Sequence, residues 1–484
     1  MFCNEYGANI SDFKMSKSEA ISVPPKRKLR ELFFGGRKDV DMTEGGILRH
    51  LITFAIPLLI GNIFQQLYNT VDTWVVGNYV SNVAFGAVGT VGPIINTLIG
   101  FFSGLASGAG AVISQYYGAK KYDKVSEAVH TSVVMTAVMG VVFTFVGILM
   151  TPAMLGFMKF DQASMADGKT YLTIYFAGIL GLMIYNMGAG ILRAVGDSKR
   201  PFYFLVVSAI INTVLDLLFV LGLGMGVEGV AYATVISQGI SAVLVIVTLL
   251  RTDACIKLIP KRLRANFDIL KKIIFIGLPA ALQMAITSFS NVFVQSYINE
   301  FGPDYMSGWT AYSKIDQLAL LPMQSLSLAA TTFVAQNIGN DNEKRAKQGA
   351  NCAVVASISI MIILLTPIII FAPQLVAFFN KNANVVAYGT IMLRVQSPFY
   401  ILCCINQIYA GALRGAGKSR VTMFMMLFSF VLFRQVYLYV MKNFISGELI
   451  PIILAYPAGW LVASALVLIY YNTTKLTKDR VSAD

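Results

Sequence analysis

Long apolar runs alternate with short polar breaks from about residue 50 to residue 472. Residues 73–119 carry no formal charge, and neither do 130–158, 273–299 or 450–474. A helix needs roughly 20 apolar residues to cross the hydrocarbon core of a bilayer, so the first run is long enough for most of two crossings. The pattern predicts about twelve membrane segments, near 50–79, 86–116, 125–152, 168–192, 201–222, 228–250, 270–299, 306–337, 348–371, 385–412, 421–441 and 450–472. Composition agrees: 56% of the 484 residues are hydrophobic and only 13% are charged, against about a quarter charged in soluble domains. The expected fold class is an all-α integral membrane protein.

The basic residues sort by side. Lys120, Lys121 and Lys124 follow the second segment, and Arg193, Lys199 and Arg200 follow the fourth. Arg251, Lys257, Lys261, Arg262, Arg264, Lys271 and Lys272 surround the break after the sixth. Lys344, Arg345 and Lys347 follow the eighth, and Arg414, Lys418 and Arg420 follow the tenth. The alternate breaks hold only Lys159, Lys169, Lys381 and Lys442. Positive charge accumulates on the cytoplasmic side of membrane proteins, so both termini are expected in the cytoplasm. The net charge of +13 is therefore a topology signal and not a nucleic-acid footprint. The first 48 residues are polar and basic with no apolar core, so no cleaved signal peptide is expected; Met15 and Met42 are alternative starts. The cysteines Cys3, Cys255, Cys352, Cys403 and Cys404 show neither metal nor disulfide spacing.

The stretch GALRGAGKSR, at 411–420, resembles the end of a phosphate-binding loop. That loop needs glycine, four residues, then Gly-Lys-Ser/Thr. Ala412 stands where the first glycine should be, which argues against an NTPase. A second copy, GILRAVGDSKR, begins at Gly190. Arg193 matches Arg414, Gly196 matches Gly417 and Ser198 matches Ser419, all at an offset of 221. Pro57 matches Pro279 and Asn69 matches Asn291 at 222, and Gln115 matches Gln336 at 221. The chain is an internal duplication of two six-segment halves. An even number of crossings returns the chain to its starting side, so the repeats are parallel.

The expected organisation is a basic cytoplasmic tail at 1–42, a first lobe at 43–251, a cytoplasmic link at 252–272, a second lobe at 273–474 and a tail at 475–484. Transporters use such repeats, with a substrate site between the halves and alternating access by rocking. A receptor or scaffold would share the architecture without flux. An enzyme is disfavoured: the two histidines, His50 and His130, lie at segment starts, and no His-Glu-x-x-His, aspartate-rich metal motif or Gly-x-Ser-x-Gly elbow is present. No cofactor and no resident metal are expected.

Ionisable groups held inside a bilayer mark functional sites by default. Six qualify: Asp72, Asp216, Lys314, Asp316, Arg394 and Arg434. Asp72 follows Tyr68 by one helical turn, which puts the phenol on the same face as the carboxylate. Asn212 precedes Asp216 by one turn, Thr234 on the sixth segment is a third polar partner, and Asn186 near the end of the fourth is a weaker one. Two carboxylates with amide and hydroxyl oxygens suit Na⁺ or a proton, because desolvation and a like-charged neighbour both favour protonation. The competing reading is a buried ion pair with Arg394, Arg434 or Lys314, and an internal Lys314–Asp316 pair. Pro57, on the same helix as Asp72, permits a kink that would couple ion binding to helix bending.

With these residues in view, the chain resembles the MATE (multidrug and toxic compound extrusion) family. The resemblance covers about residues 43–475 and rests on PLLIGNIFQQLYNTVDTWVVGNYV, SQYYGAKKYDK, LRAVGDSKRP, NTVLDLLF, GVEGVAYATVISQ and LRGAGKSR. It implies twelve helices in a V-shaped pair of six-helix lobes and H⁺- or Na⁺-coupled efflux of amphipathic, often cationic, drugs. Within the family it is similar to the DinF-like, MepA-like prokaryotic branch, which implies a cation site at Asp72, Asn212, Asp216 and Thr234, with Pro57 as bending proline and Tyr68 and Asn186 as polar neighbours. Val294 and Tyr437 stand where a second-lobe copy would place Asp72 and Asp216, which weighs against a cation site there. The expected setting is a bacterial plasma (inner) membrane, with the protein as a monomer. The alternative is a flippase for a lipid-linked precursor, which would gather Arg394, Arg434 and Lys314 on the central cleft.

Overall fold

The computed structural model describes residues 40–157, 164–445, 448–477 and 481. Residues 1–39, with Cys3 and Met15, lie outside the described residues, as do Lys159 and most of the tail beyond 477.

The first half folds as α1 (Ile47–Tyr79), α2 (Asn82–Gly118), α3 (Tyr122–Phe157), α4 (Met165–Ala177), α5 (Ile179–Ala194), α6 (Lys199–Leu217) and α7 (Val227–Arg251). The second half folds as α8 (Phe267–Asn299), α9 (Pro303–Gly339), α10 (Glu343–Ile370), α11 (Ala372–Phe379), α12 (Ala383–Gln396), α13 (Tyr400–Gly415), α14 (Ser419–Leu427), α15 (Arg434–Val440), α16 (Leu449–Ile453) and α17 (Ala455–Thr473). Among the described residues, eleven helical stretches are long and apolar enough to cross a membrane, and α4 with α5 makes a twelfth crossing bent by 48°. The bend falls at Gly178, between the two helices, and accounts for the fourth predicted segment being one span in sequence and two helices in structure. Outward faces stay apolar, with Phe145, Leu149, Ile363 and Ile469 all exposed, as a lipid-facing surface requires.

The duplication is visible in the backbone. α1 and α8 are both 33 residues long, and α2 and α9 are both 37. The repeated Leu-Arg-x-x-Gly loops close α5 and α13 in the same way. Gly196 (φ +86°) and Gly417 (φ +85°) occupy the left-handed region. Asp197 N–H reaches Leu192 O and Gly196 N–H reaches Arg193 O; Lys418 N–H reaches Leu413 O and Gly417 N–H reaches Arg414 O. Both are Schellman caps, which need a residue that tolerates positive φ. The stretch that looked like a phosphate loop is thus a helix C-cap used twice.

The halves form two lobes. α2 crosses α8 closely enough that a Cβ on Gly108 would fall 2.1 Å from Gly277 Cα. At the end that carries the basic loops, α2 and α9 meet backbone to backbone. A Cβ on Gly118 would lie 1.9 Å from Gln336 O, and one on Gly339 would lie 2.0 Å from Gln115 O. That end is sealed.

Parts of both expected tails pack on the helices. Val40 N–H bonds to Val195 O in the first lobe, while Met42 is buried and its N–H donates to Gln336 Oε1 of the second at 2.9 Å. Asn337 and Arg345 both donate to Met42 O, and Arg345 also to Glu44 O and Gly45 O. Val481 N–H in turn donates to Gln115 Oε1 at 2.7 Å. Each end straps across the sealed face.

Candidate functional site

α1 carries Asp72, α6 carries Asn212 and Asp216, and α7 carries Thr234, so the site draws on three helices of the first lobe. The Asp72 carboxyl faces Asp216, Asn212 and Thr234. All four are buried, Asp216 completely. Asp72 Oδ1, both carboxyl oxygens of Asp216 and both amide atoms of Asn212 have no hydrogen-bond partner among the described residues. Thr234 donates its hydroxyl to Val230 O at 3.0 Å, leaving its oxygen lone pairs free to accept. Buried polar groups are normally satisfied, so converging oxygens without donors define a place for a cation or a shared proton.

The ion-pair alternative is overturned. No basic side chain pairs with Asp72 or Asp216 among the described residues. Arg394 and Lys314 are exposed, Arg394 donating to Ile369 O. Arg434 instead bonds Ser290 Oγ and Asn291 Oδ1, each at 2.9 Å. Lys314 does not pair with Asp316, whose Oδ1 accepts from the hydroxyls of Tyr312 and Tyr400.

α6 passes into a π-helical turn, Leu218–Gly222, two residues after Asp216; the second lobe has π-helical stretches of its own at Phe428–Phe433 and Met441–Ile445, so the turn belongs to the repeated helix and does not single out the carboxylates. α1 runs through Pro57 without a break, so the expected kink is not a break in this state.

Between the lobes lies a cavity of about 980 Å³. Pro57, Tyr68 and Asn186 line it, whereas Asp72, Asp216, Asn212 and Thr234 do not. The carboxylate cluster therefore sits behind the cavity wall. Tyr68 lies beside Gln65, and no hydrogen bond joins it to Asp72 among the described residues. Asn186 stands apart from the cluster, donating to Leu182 O and accepting from Ser103 Oγ. Tyr171 of α4, which sequence reasoning passed over, lies beside Thr234 in the neighbourhood of Asp72 and Asp216 and stacks on Tyr175 at 6.5 Å. Its signal was present: two tyrosines four residues apart in one apolar segment. Val294 and Tyr437, at the repeat positions of Asp72 and Asp216, pack in an apolar cluster of the second lobe. Glu300 pairs with Lys442.

The MatE family model matches residues 57–218 and again 279–440. The chain belongs to the MatE family. These two matches reproduce the offset of the internal repeat, and MATE proteins are transporters. The chain is 29% identical to the probable multidrug resistance protein YpnP of Bacillus subtilis, over 90% of this chain and 97% of the relative. It is 22% identical to the multidrug export protein MepA of Staphylococcus haemolyticus, over 78% and 83%. A solved MATE family transporter, described as outward-facing and of the MOP superfamily, superposes with a TM-score of 0.85 at 23% identity, covering 93% of this chain and 99% of that one. A MOP superfamily transporter from Pyrococcus furiosus superposes with a TM-score of 0.86 at 22% identity, over 93% and 99%. The MATE fold is thereby shown: all helical, multi-pass, in two lobes.

Proposed function

We propose that this MATE protein is a cation-coupled multidrug antiporter that exports amphipathic, often cationic, compounds by alternating access. One observation carries the coupling: two buried carboxylates, three of whose four oxygens lack donors among the described residues, set behind the wall of a cavity that is closed at one end. The names of YpnP and MepA support drug export. The setting is a bacterial plasma membrane with both termini and the basic loops in the cytoplasm. The sealed end is then cytoplasmic and the conformation outward-facing, in a protein that works as a monomer.

The cycle follows. An inward-facing form takes the compound into the cavity, and the lobes rock outward. H⁺ or Na⁺ then binds among Asp72, Asp216, Asn212 and Thr234 and neutralises carboxylates in a desolvated site. Tyr68 and Pro57 face the cavity on the same helix as Asp72, so a small change of α1 on ion binding reshapes the substrate wall. The ion drives the cycle only through different affinity for the two states.

The test is ethidium efflux from proteoliposomes under an imposed pH or Na⁺ gradient, for wild type and Asp72→Asn. Gradient-driven efflux that disappears in the variant supports antiport and names the ion. Unchanged efflux in Asp72→Asn overturns the assignment. A lipid-linked precursor flippase is the second reading: of the cations expected for it Arg434 lines the cavity and Arg394 and Lys314 do not, but Arg193 and Arg414 join Arg434 there; absence of efflux under both gradients would turn to it.

A further inference from the structure

The repeated Leu-Arg-x-x-Gly loop does more than cap two helices. Its arginines, Arg193 on α5 and Arg414 on α13, both line the central cavity. They occupy matching places, one from each lobe, beside the seal. Ala194, next to Arg193, has its carbonyl bonded by Gln336, and Gly415, next to Arg414, has its carbonyl bonded by Gln115. The two arginines therefore flank the floor where the lobes meet.

Neither has a carboxylate partner among the described residues; Arg193 has only the phenol of Tyr185 near it, whose hydroxyl donates to Pro201 O. No ion pair or hydrogen bond joins either side chain to a described residue. Arg414 is 7% exposed, and its Nε is buried with nothing to donate to. A helix C-terminus usually offers carbonyls to such a side chain, but here they are taken. Leu192 O, Arg193 O, Leu413 O and Arg414 O accept from the Schellman caps, and Ala194 O and Gly415 O accept from the glutamines. Asp197, the carboxylate in the first loop, pairs with Arg200 at 3.3 Å, and Lys418 replaces it in the second. Arg434, higher on the cavity wall, is held by neutral groups only, Ser290, Asn291 and the Tyr456 ring. The one carboxylate lining the cavity among the described residues, Asp316, is bound by tyrosine hydroxyls.

A guanidinium keeps its charge under all ordinary conditions, and burying it without a counter-charge is costly. Its planar fork matches phosphate and carboxylate oxygens. We propose that Arg193 and Arg414 form an anion-receiving floor to the cavity, which takes the phosphate or carboxylate group of an amphiphilic substrate. The inference rests on the cavity being the transport path and names a substrate class for it: amphiphiles with an acidic end, including those that also carry a cation. Because the arginines come from different lobes, a bound anion is held between parts that separate when the floor opens.

The experiment is equilibrium binding to the full chain in phosphatidylcholine nanodiscs, with no gradient. The probes are octyl phosphate, octanoate, octyltrimethylammonium, inorganic phosphate and ethidium. Wild type should bind octyl phosphate or octanoate more tightly than octyltrimethylammonium. Arg193→Gln and Arg414→Gln should each weaken the anions by about tenfold or more, should not weaken ethidium, because loss of a positive group cannot weaken a cation, and should recover in part as Arg→Lys. Preference for octyl phosphate supports a phosphate-headgroup lipid as the source, and equal binding of octanoate supports acidic compounds generally. Anion affinity that is absent in wild type, or equal in wild type and both glutamine variants, overturns the proposal. Inorganic phosphate binding as tightly as octyl phosphate overturns the amphiphile assignment. Ethidium efflux that fails in wild type while the arginine-dependent anion binding holds counts against the drug-export reading alone.

Discussion

The side-chain amide of Gln115 donates to the Gly415 carbonyl at 2.8 Å, from one lobe to the other. Its repeat mate, Gln336, donates to Ala194 O at 3.0 Å in the opposite sense. Each glutamine also accepts from a chain end, Val481 N–H for Gln115 and Met42 N–H for Gln336. Four hydrogen bonds of matched geometry thus hold the sealed face, and the two from glutamine amide to backbone carbonyl join lobe to lobe and must break when it opens. Hydrogen bonds inside membrane proteins contribute about 0.6 kcal/mol on average. Gln115→Ala with Gln336→Ala should therefore shift the closed–open balance toward open by roughly tenfold. Spin labels on exposed Lys121→Cys and Lys344→Cys, in a cysteine-free background, should give one short distance in the parent and an added longer one in the double variant. A distance distribution identical in both would show that the latch does not set the balance.

Gly118 and Gly339 test the same face by sterics. A side chain at either would collide with backbone, at 1.9 Å from Gln336 O and 2.0 Å from Gln115 O. Backbone cannot move aside as a flexible side chain can. Gly118→Val should hold the sealed face apart, populate the longer label distance and lower the thermal midpoint. Gly239→Ala, with nothing within 4 Å of its Cβ, should change neither. The same comparison for Gly339→Val should give the same result, because the contact is reciprocal.

Asp72 and Asp216 should behave as one unit. They face each other, with three of their four oxygens unpartnered among the described residues, and groups that share one ion have strongly non-additive effects. Asp72→Asn and Asp216→Asn should each abolish gradient-driven efflux, and the double variant should be no worse than either. Asn212→Ala removes one neutral ligand and should weaken the coupling ion by about tenfold while leaving downhill efflux measurable. Additive partial losses in the two aspartate variants would indicate separate sites.

The sequence made the membrane segments, the duplication and the pair Asp72–Asp216 legible, because each leaves a signal in spacing or charge. Uncharged runs can only be spans, a constant offset can only be a repeat, and a carboxylate in an apolar helix stands out against its neighbours. What stayed hidden depends on how helices come together. Arg193 and Arg414 read as loop residues because they precede a Gly-containing turn, yet the Schellman caps end their helices below the cavity and turn the side chains into it. Lys314 and Asp316, two apart on one helix, point to different sides, one exposed and one toward the cavity, so their nearness in sequence misled. Met42 read as tail because the residues before it are basic, while its burial is created by Gln336, Asn337 and Arg345 from the other half of the chain.

Asp316 is where substrate charge can be tested from the other sign. It lines the cavity on α9, free of any lysine or arginine, within a wall of rings: Trp309 lies 5.0 Å from Tyr312 and 5.7 Å from Tyr456, and Tyr400 lies 5.4 Å from Trp460. A carboxylate beside aromatic faces attracts organic cations through both its charge and the ring quadrupoles. Asp316→Asn keeps the shape and the tyrosine contacts while removing the charge. It should raise the dissociation constant for ethidium by about tenfold, with the coupling-ion affinity at Asp72 and Asp216 unchanged. Tyr400→Phe removes one hydroxyl donor and should have a smaller effect of the same sign if the two tyrosines hold the carboxylate toward the cavity. Octyl phosphate binding should not fall in Asp316→Asn, because loss of a negative group cannot weaken an anion at the floor. Weaker ethidium binding with intact anion binding would show that one cavity receives the two ends of its substrates at different heights, the cation at Asp316 and the anion at Arg193 and Arg414. Ethidium binding that ignores the substitution would assign Asp316 to the packing of the second lobe.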